Sequence, residues 1–354
     1  MKAAARKRGT NQTRAKRTRA KRTRASVSIP ARRVGLAVST AFALAGAFLM
    51  LLAIAPDLQA RHQWLAMLAS FAPYGWVCWL VAVIVAVAAT RQRLLVLPLV
   101  AGLAAHTFLL LPYLPGTPTA VAGQRGTLNV LELNLRFGLA DIGQLSAEVD
   151  RSRPDVVVLA EVTDSNLRVL KNKAWRARLP YRLGTTEPDA DPATGFADAG
   201  GTMILSRFPL TELGRTKGTV FTNLAARVAL PDHPFVLVAA HPANPEHGLD
   251  RWLQDGQALA QLTAGHTSEP LVVAGDLNAT AEHLTLRELK ARADLTDTAT
   301  GHGWHPTYPA DAWYPPLIQI DHVLVSSAFT TTALDTFAIP GTDHRGLSVR
   351  LAFA

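Results

Sequence analysis

The octapeptide Leu271-Val272-Val273-Ala274-Gly275-Asp276-Leu277-Asn278 decides how this chain is read. Four successive apolar residues make a short buried-strand pattern, and the glycine that follows lets the backbone turn. Asp276 and Asn278 stand two residues apart, which on a strand turns both side chains to one face. A carboxylate delivered at the end of an apolar strand is a common way to build a metal or phosphate site. Taken singly, the pattern also fits a strand that ends in a polar turn. Its weight comes from repetition along the chain.

Working outward, the same device recurs. A strand over 128–135 carries Asn134, and Pro154-Asp155 opens an apolar run over 156–160 that ends at Glu161. The runs 225–230 and 235–240 read as a hairpin whose second arm ends at His241. A strand over 318–326 carries Asp321-His322, and Thr342-Asp343-His344 precedes a last strand over 347–353. Further strands are expected over 181–183, 202–206 and 332–339, and helices over 142–149, 249–264 and 281–292. The Pro-, Asp- and Gly-rich stretch 187–201 reads as a loop that could close over a site. Buried charges need partners or a metal, so groups delivered this way are expected to converge. Hairpins outnumber helices, which favours two mainly antiparallel sheets packed face to face with helices outside.

Charge divides the chain into zones. Residues 1–33 hold 13 Lys and Arg and no acid, with the block Thr-Arg-Ala-Lys-Arg repeating across 13–25. Such a run cannot bury a core and is expected to be disordered. It suits anionic lipid head groups at a cytoplasmic membrane face better than nucleic acid. Residues 124–354 hold 20 Lys and Arg against 26 acids, a net charge of −6, which disfavours a nucleic-acid partner. The single cysteine, Cys78, permits no internal disulfide.

Between these zones lie three stretches without Asp, Glu, Lys or Arg, over 34–55, 64–89 and 94–114. Each has the length to cross a hydrocarbon core of roughly 30 Å as a helix, so three transmembrane helices are expected. The basic tail and Arg91-Gln92-Arg93 belong on the cytoplasmic side by the positive-inside rule. Three crossings then put the 115–125 linker and the 126–354 domain outside. His106, in the third stretch, reads as a packed or interfacial residue. Trp304, Tyr308, Trp313 and Tyr314, in a loop over 304–316, read either as loop packing or as an apolar rim that grips lipid. His302 and His305 in the same region read as loop histidines.

The motifs Leu133-Asn134, Ala160-Glu161, Gly201-Thr202-Met203-Ile204-Leu205-Ser206-Arg207-Phe208-Pro209, Ala240-His241-Pro242, Gly275 to Asn278, Gln319-Ile320-Asp321-His322 and Thr342-Asp343-His344 resemble, in order, those of the endonuclease/exonuclease/phosphatase superfamily. That is the fold of DNase I, apurinic endonucleases, neutral sphingomyelinases and inositol-phosphate phosphatases. The resemblance spans residues 126–354. It implies a four-layer α/β sandwich and hydrolysis of phosphoesters or pyrophosphates with Mg²⁺, or Mn²⁺ in its place. It further implies Glu161, helped by Asn134, as metal ligand, and Asp343 either as a ligand or as the residue orienting His344. Asp276 would deprotonate the attacking water, and Asn278 would hold water or phosphate. His241, oriented by Asp321, would donate to the phosphoryl or leaving oxygen, and His344 would contact the phosphate. The anchor of three helices is similar to that of bacterial membrane proteins linked to teicoplanin-type glycopeptide resistance, which implies an undecaprenyl-pyrophosphate substrate. A sphingomyelinase-like phosphodiesterase, a nuclease and a non-enzymatic receptor for lipid head groups are the competing readings.

Overall fold

The computed structural model describes residues 29–90, 93–116, 126–184, 186 and 201–354. Most of the basic tail, Arg91 and Gln92, most of the linker and nearly all of the 187–201 stretch lie outside the described residues.

Twelve strands are described: β1 (Thr127–Asn134), β2 (Val156–Val162), β3 (Tyr181–Gly184), β4 (Gly201–Ser206), β5 (Leu210–Arg215), β6 (Leu224–Val228), β7 (Phe235–Ala240), β8 (Leu271–Asp276), β9 (Thr296–Asp297), β10 (Asp321–Val325), β11 (Phe329–Ala338) and β12 (Arg345–Phe353). They form two six-stranded sheets, ordered β11-β12-β1-β2-β4-β3 and β5-β6-β7-β8-β10-β9. The β1/β2 and β7/β8 pairs are parallel and the other pairings antiparallel.

Side-chain alternation sorts each central strand between two cores. Leu128 and Val130 of β1 and Leu347 and Val349 of β12 meet Leu237, Val272, Ala274 and Val323 of the other sheet. The opposite parity, Leu131, Leu133, Val157 and Leu159, packs under α5 (Ile142–Ser152), α6 (Asp164–Leu170) and α7 (Lys173–Arg178). On the far side Val236, Val238, Leu271 and Val273 pack under α8 (Leu249–Ala264) and α9 (Leu284–Ala293). The order helix, sheet, sheet, helix is the four-layer sandwich. Strands β5 and β9 and helices α6 and α7 have no counterpart among the expected elements. Each is short, and β5 reads Leu-Thr-Glu-Leu-Gly-Arg, with little burial on either face.

The N-terminal apolar region departs from the expected three long helices. The first is continuous, α1 (Ile29–Ile54). The second charge-free stretch is broken into α2 (Gln63–Ala69) and α3 (Gly75–Ala89) by the turn over 70–74. Pro73 accounts for the break, because it disfavours helical backbone at the residue before it and removes a helix donor. The third, α4 (Leu97–Leu109), has 13 residues, about 20 Å at 1.5 Å per residue, with Pro98 and Pro112 bounding it. Two helical segments, Pro30–Ile54 and Ala72–Ala89, are long and apolar enough to cross a membrane; Arg93–Leu109 is shorter. Close packing uses small residues: a Cβ on Gly35 would stand 2.7 Å from Ala89 Cβ, and one on Gly102 would stand 2.5 Å from the Trp79 ring. His106 is buried, with Nε2 3.0 Å from the Ala72 carbonyl, as a packed residue should be.

These helices are bonded to the sandwich through buried polar contacts. The fully buried Gln59 donates to the Glu282 carbonyl at 2.9 Å and accepts from Leu284 N–H at 3.0 Å. His283 Nδ1 lies 2.7 Å from Thr280 N, so it must accept there, which makes Nε2 the donor to the Ala66 carbonyl at 2.9 Å. Tyr74 Oη donates to the Leu317 carbonyl at 2.6 Å, and Tyr113 to Glu282.

Burial, followed by the charge of His322, pushes the His283 imidazole down to about 4 against the pull of the Ala66 carbonyl. Its folded form therefore binds a proton less readily than the unfolded chain does. The stability it contributes is complete above about 6.5 and is lost as pH falls towards about 4. His283→Ala should lower stability by about 1–3 kcal/mol and flatten this acid limb. Thermal unfolding in detergent across pH checks both.

Candidate active site

The inner-facing parity that fills the core with valine and leucine turns polar at one end of the sandwich. In β1 the series Leu128, Val130 continues as Glu132 and Asn134. In β8, Val272 and Ala274 are followed by Asp276; in β10, Asp321 precedes Val323 and Val325; beyond β7, Phe235, Leu237 and Ala239 lead to His241. Glu161 has the wrong parity to join them. It does so because β2 is irregular between Leu159 and Val162, where Glu161 takes φ +56°. That left-handed backbone, costing about 1–3 kcal/mol, swings the carboxylate into the cleft.

Six of the expected residues, Glu161, His241, Asp276, Asn278, Asp343 and His344, line one cavity of about 640 Å³. Asn134 and Asp321 stand directly behind them. Asn134 Nδ2 donates to Glu161 Oε1 and Asp276 Oδ2, both at 2.9 Å, and its oxygen accepts from Arg136 N–H at 2.8 Å. So arranged, Asn134 clamps the two carboxylates together. Glu161 Oε2 also accepts from Phe137 N–H at 2.6 Å. Strand β8 ends at Asp276, and Asn278 lies in a left-handed turn with φ +48°. The pair therefore does not share a strand face: Asn278 gives its amide to the Pro242 carbonyl at 2.9 Å, while its N–H binds Asp276 Oδ1 at 2.9 Å.

The expected pairing of Asp321 with His241 is not what forms. Asp321 accepts from His344 Nδ1, its oxygens 2.9 and 3.1 Å away. Strand order explains this: β8 lies between β7 and β10, so His241 and Asp321 leave strands roughly 10 Å apart. His344, arriving from the other sheet, reaches Asp321 directly. His241 instead stacks on Phe221, with ring centroids 4.0 Å apart and planes at 15°. Its Nδ1 has no hydrogen-bond partner among the described residues, and its Nε2 stands 3.7 Å from Glu161 and 3.8 Å from Asp276. Its backbone N–H is held by Asn223 Oδ1 at 2.7 Å.

Electrostatics separate the two histidines. Burial opposes charge on both. For His344 the carboxylates of Asp321 and Asp276 outweigh burial and push it up to about 10, so the ring is an imidazolium. For His241, burial, followed by the charges of His344 and His247, pushes it down to about 3, so it is neutral. Burial also raises Glu161, and it carries Asp276 up to about 7, with Asp321 adding to it and His344 opposing. One imidazolium facing Glu161, Asp276 and Asp321 leaves negative charge in excess. Hard oxygen donors in that excess suit a divalent cation of the Mg²⁺ or Mn²⁺ type. Atoms of Asp276, Asp321 and His344 also lie within 4.8 Å of one another. Asp343 stands at the rim, 3.6 Å from the Arg136 guanidinium and 4.0 Å from His344 Nε2.

Three contributors escaped the sequence reading. Glu132 is wholly buried, and no donor reaches either of its oxygens. Burial, then the charges of Asp321 and Asp276, raise it well above the usual carboxylate range. Its inner-facing parity, two residues before Asn134, was the available signal. Asp255 of α8 accepts from Val220 N–H and Ala243 N–H, both at 3.0 Å, and so fixes the loops that carry Phe221 and His241. Phe221 itself carried no signal. His302 and His305 bond to loop carbonyls. Trp304 packs on Tyr113, centroids 4.7 Å apart, while Trp313 is 95% exposed.

A two-sheet sandwich with acidic and imidazole groups gathered at one end is the form of a phosphoester hydrolase. The chain belongs to the endonuclease/exonuclease/phosphatase family, which residues 126–344 match. Solved structures of similar fold include an endonuclease/exonuclease/phosphatase from Beutenbergia cavernae, 20% identical over 65% of this chain and 72% of that one, with a TM-score of 0.47. A family protein from Bacteroides thetaiotaomicron is 15% identical over 65% and 98%, TM-score 0.49. A mannosyl-6-phosphatase from the same species is 15% identical over 64% and 100%, TM-score 0.47. No curated protein matches the chain.

Two substitutions test the construction. A Cβ on Gly275, at φ +148°, would lie 1.9 Å from the Ala240 carbonyl oxygen. Gly275→Ala should therefore destabilise by on the order of 3 kcal/mol, read as a lowered melting temperature. Asp321→Asn should cost about 10²–10⁴-fold in kcat/KM and drop the His344 titration, followed by NMR, well below about 10. Because His344 holds its proton more tightly when folded, its contribution is full below about 6.5 and is lost as pH rises through about 10. The variant should lose that alkaline limb.

Proposed function

We propose that this protein is a membrane-anchored, extracytoplasmic phosphoesterase that hydrolyses a lipid-linked phosphate or pyrophosphate. Undecaprenyl pyrophosphate, implied by the likeness to the glycopeptide-resistance group, is the reference substrate. The observation that carries this reading is the buried bonding of Gln59 to Glu282 and Leu284. It holds the family's catalytic cavity directly against two apolar helices of membrane-spanning length.

Topology follows in the same terms. The segment between α1 and α3, the start of α3 and the end of α4 all meet the sandwich or one another: Gln59 at Glu282, Ala72 at His106, and Pro112 at Gly301. They share one side of the bilayer with the catalytic unit. The 13 basic residues of the tail belong on the other side, at anionic cytoplasmic lipid.

Phosphoryl hydrolysis needs positive charge and donors set in place before the oxygens become more negative. His344, kept charged by Asp321, faces the cavity with Nε2 and meets the phosphoryl oxygens. Neutral His241 presents Nε2 beside Glu161 and Asp276 and can donate a hydrogen bond to a phosphoryl or leaving oxygen as charge develops there. Asp276, clamped by Asn134 and Asn278 N–H, accepts the proton of the attacking water. Glu161, with Asp276 beside it, would hold the divalent cation, which supplies charge that offsets the phosphoryl oxygens when bound.

Full-length protein in detergent with Mg²⁺ should release phosphate from a polyprenyl pyrophosphate, and EDTA should stop it. His241→Ala should lower kcat by at least about 10²-fold. Hydrolysis confined to nucleic acid in a panel that includes DNA, sphingomyelin and lipid phosphates would sink this reading. Full biological effect of Asp276→Asn would favour a binding receptor instead.

A further inference from the structure

The link between α1 and α3 does more than connect two crossings. On α2, Ala66 and Ala69 are fully buried, and Ala66 packs with Trp252 and Leu284 of the sandwich. Trp64, Leu68 and Phe71, spaced four and three residues apart, are exposed by 58, 41 and 40%. That spacing makes one apolar stripe on the side away from the sandwich. Tethered at both ends to apolar helices, such a stripe belongs in the interfacial layer of the bilayer, with the helix lying in the membrane plane. Where that stripe ends, Phe71, together with Met67 and Ser70, also borders the cavity that holds His241, Asp276 and His344. Ile318, Ile320 and Phe221 continue that border in apolar side chains.

From this continuity we infer that α2 and the turn after it form the subsite for the hydrocarbon chain of the substrate. The chain passes over Met67 and Phe71 from the catalytic cavity into the bilayer, while the phosphate stays against His344 and Asp276. The lipid is never lifted clear of the membrane; its head group moves sideways into a cavity whose wall stands in the interface. Chain recognition thus comes from the membrane unit and phosphate chemistry from the sandwich. This inference rests on the lipid-phosphate reading above and adds to it the residues that select for a long apolar chain.

The experiment compares kcat/KM for a long-chain and a short-chain polyprenyl pyrophosphate, using full-length protein in mixed micelles. In the double variant Met67→Ser, Phe71→Ser the preference for the long chain should fall by about ten- to a hundredfold, mainly through KM. The apolar pair Met67→Leu, Phe71→Leu, which keeps a hydrocarbon wall, should keep the preference. An unaltered preference in the serine variant overturns the inference, and so does an equal loss with both substrates, because that is structural damage. The underlying reading fails separately, and visibly: the unsubstituted protein would then release no phosphate from either lipid.

Discussion

The bond from His344 to Asp321 joins the two sheets at the end where their shared core turns polar. Asp321 begins β10 in one sheet, and His344 stands just before β12 in the other. Carboxylates buried this deeply tolerate ionisation only beside positive charge, and His344 is the cation that the fold brings to them. Its own burial opposes that charge, so imidazolium and carboxylates sustain one another. Removing either leaves the other as an uncompensated buried charge. Glu132 shows how far the local supply of positive charge goes. With Asp321 and Asp276 already drawing on His344, burial and those two charges push the next carboxyl inward well above the usual carboxylate range.

Most of the site was legible because strand parity is a strict constraint. A residue two positions beyond an inward-facing valine also faces inward, so Asn134, Asp276 and Asp321 were bound to meet once two sheets stacked. What parity cannot report is strand order. The assignment of Asp321 to His241 failed because β8 runs between them, a fact of non-local pairing that no local pattern encodes. Glu161 was found by its position after an apolar run although parity alone would have sent it outward. Its left-handed backbone is a tertiary property. The break in the second apolar stretch had a visible cause in Pro73, overridden in the sequence reading by the length of the charge-free run. Hydropathy sees composition, whereas the break around α2 is set by where the chain must turn to reach the sandwich.

The division of labour between the two parts of the chain follows from what each can bury. The sandwich presents a cavity of acids and imidazoles at one end of its apolar core. Among the described residues, the apolar helices bring no acid or imidazole to that cavity, yet they meet the sandwich through Gln59, His283, Tyr74 and Tyr113, each hydrogen-bonded across the junction. Directional bonds of this kind fix relative orientation in a way that apolar contact alone does not. The position of the cavity relative to the apolar helices is therefore a property of the fold.

Charge in the cavity also bears on the size of the anion it suits. Among the described lining residues, Arg136 is the one permanently charged cation, and it is engaged by Asp311 at 2.6 Å and Asp343 at 3.6 Å. A polyanion such as nucleic acid is held by many lysines and arginines, each set against a phosphate. A single imidazolium offers no such row of charges, and under the proposed reading it faces one phosphate group. Attraction for the rest of the ligand must then come from elsewhere. The apolar wall beside α2 is the part of the cavity able to supply it, because burial of hydrocarbon needs no charge at all.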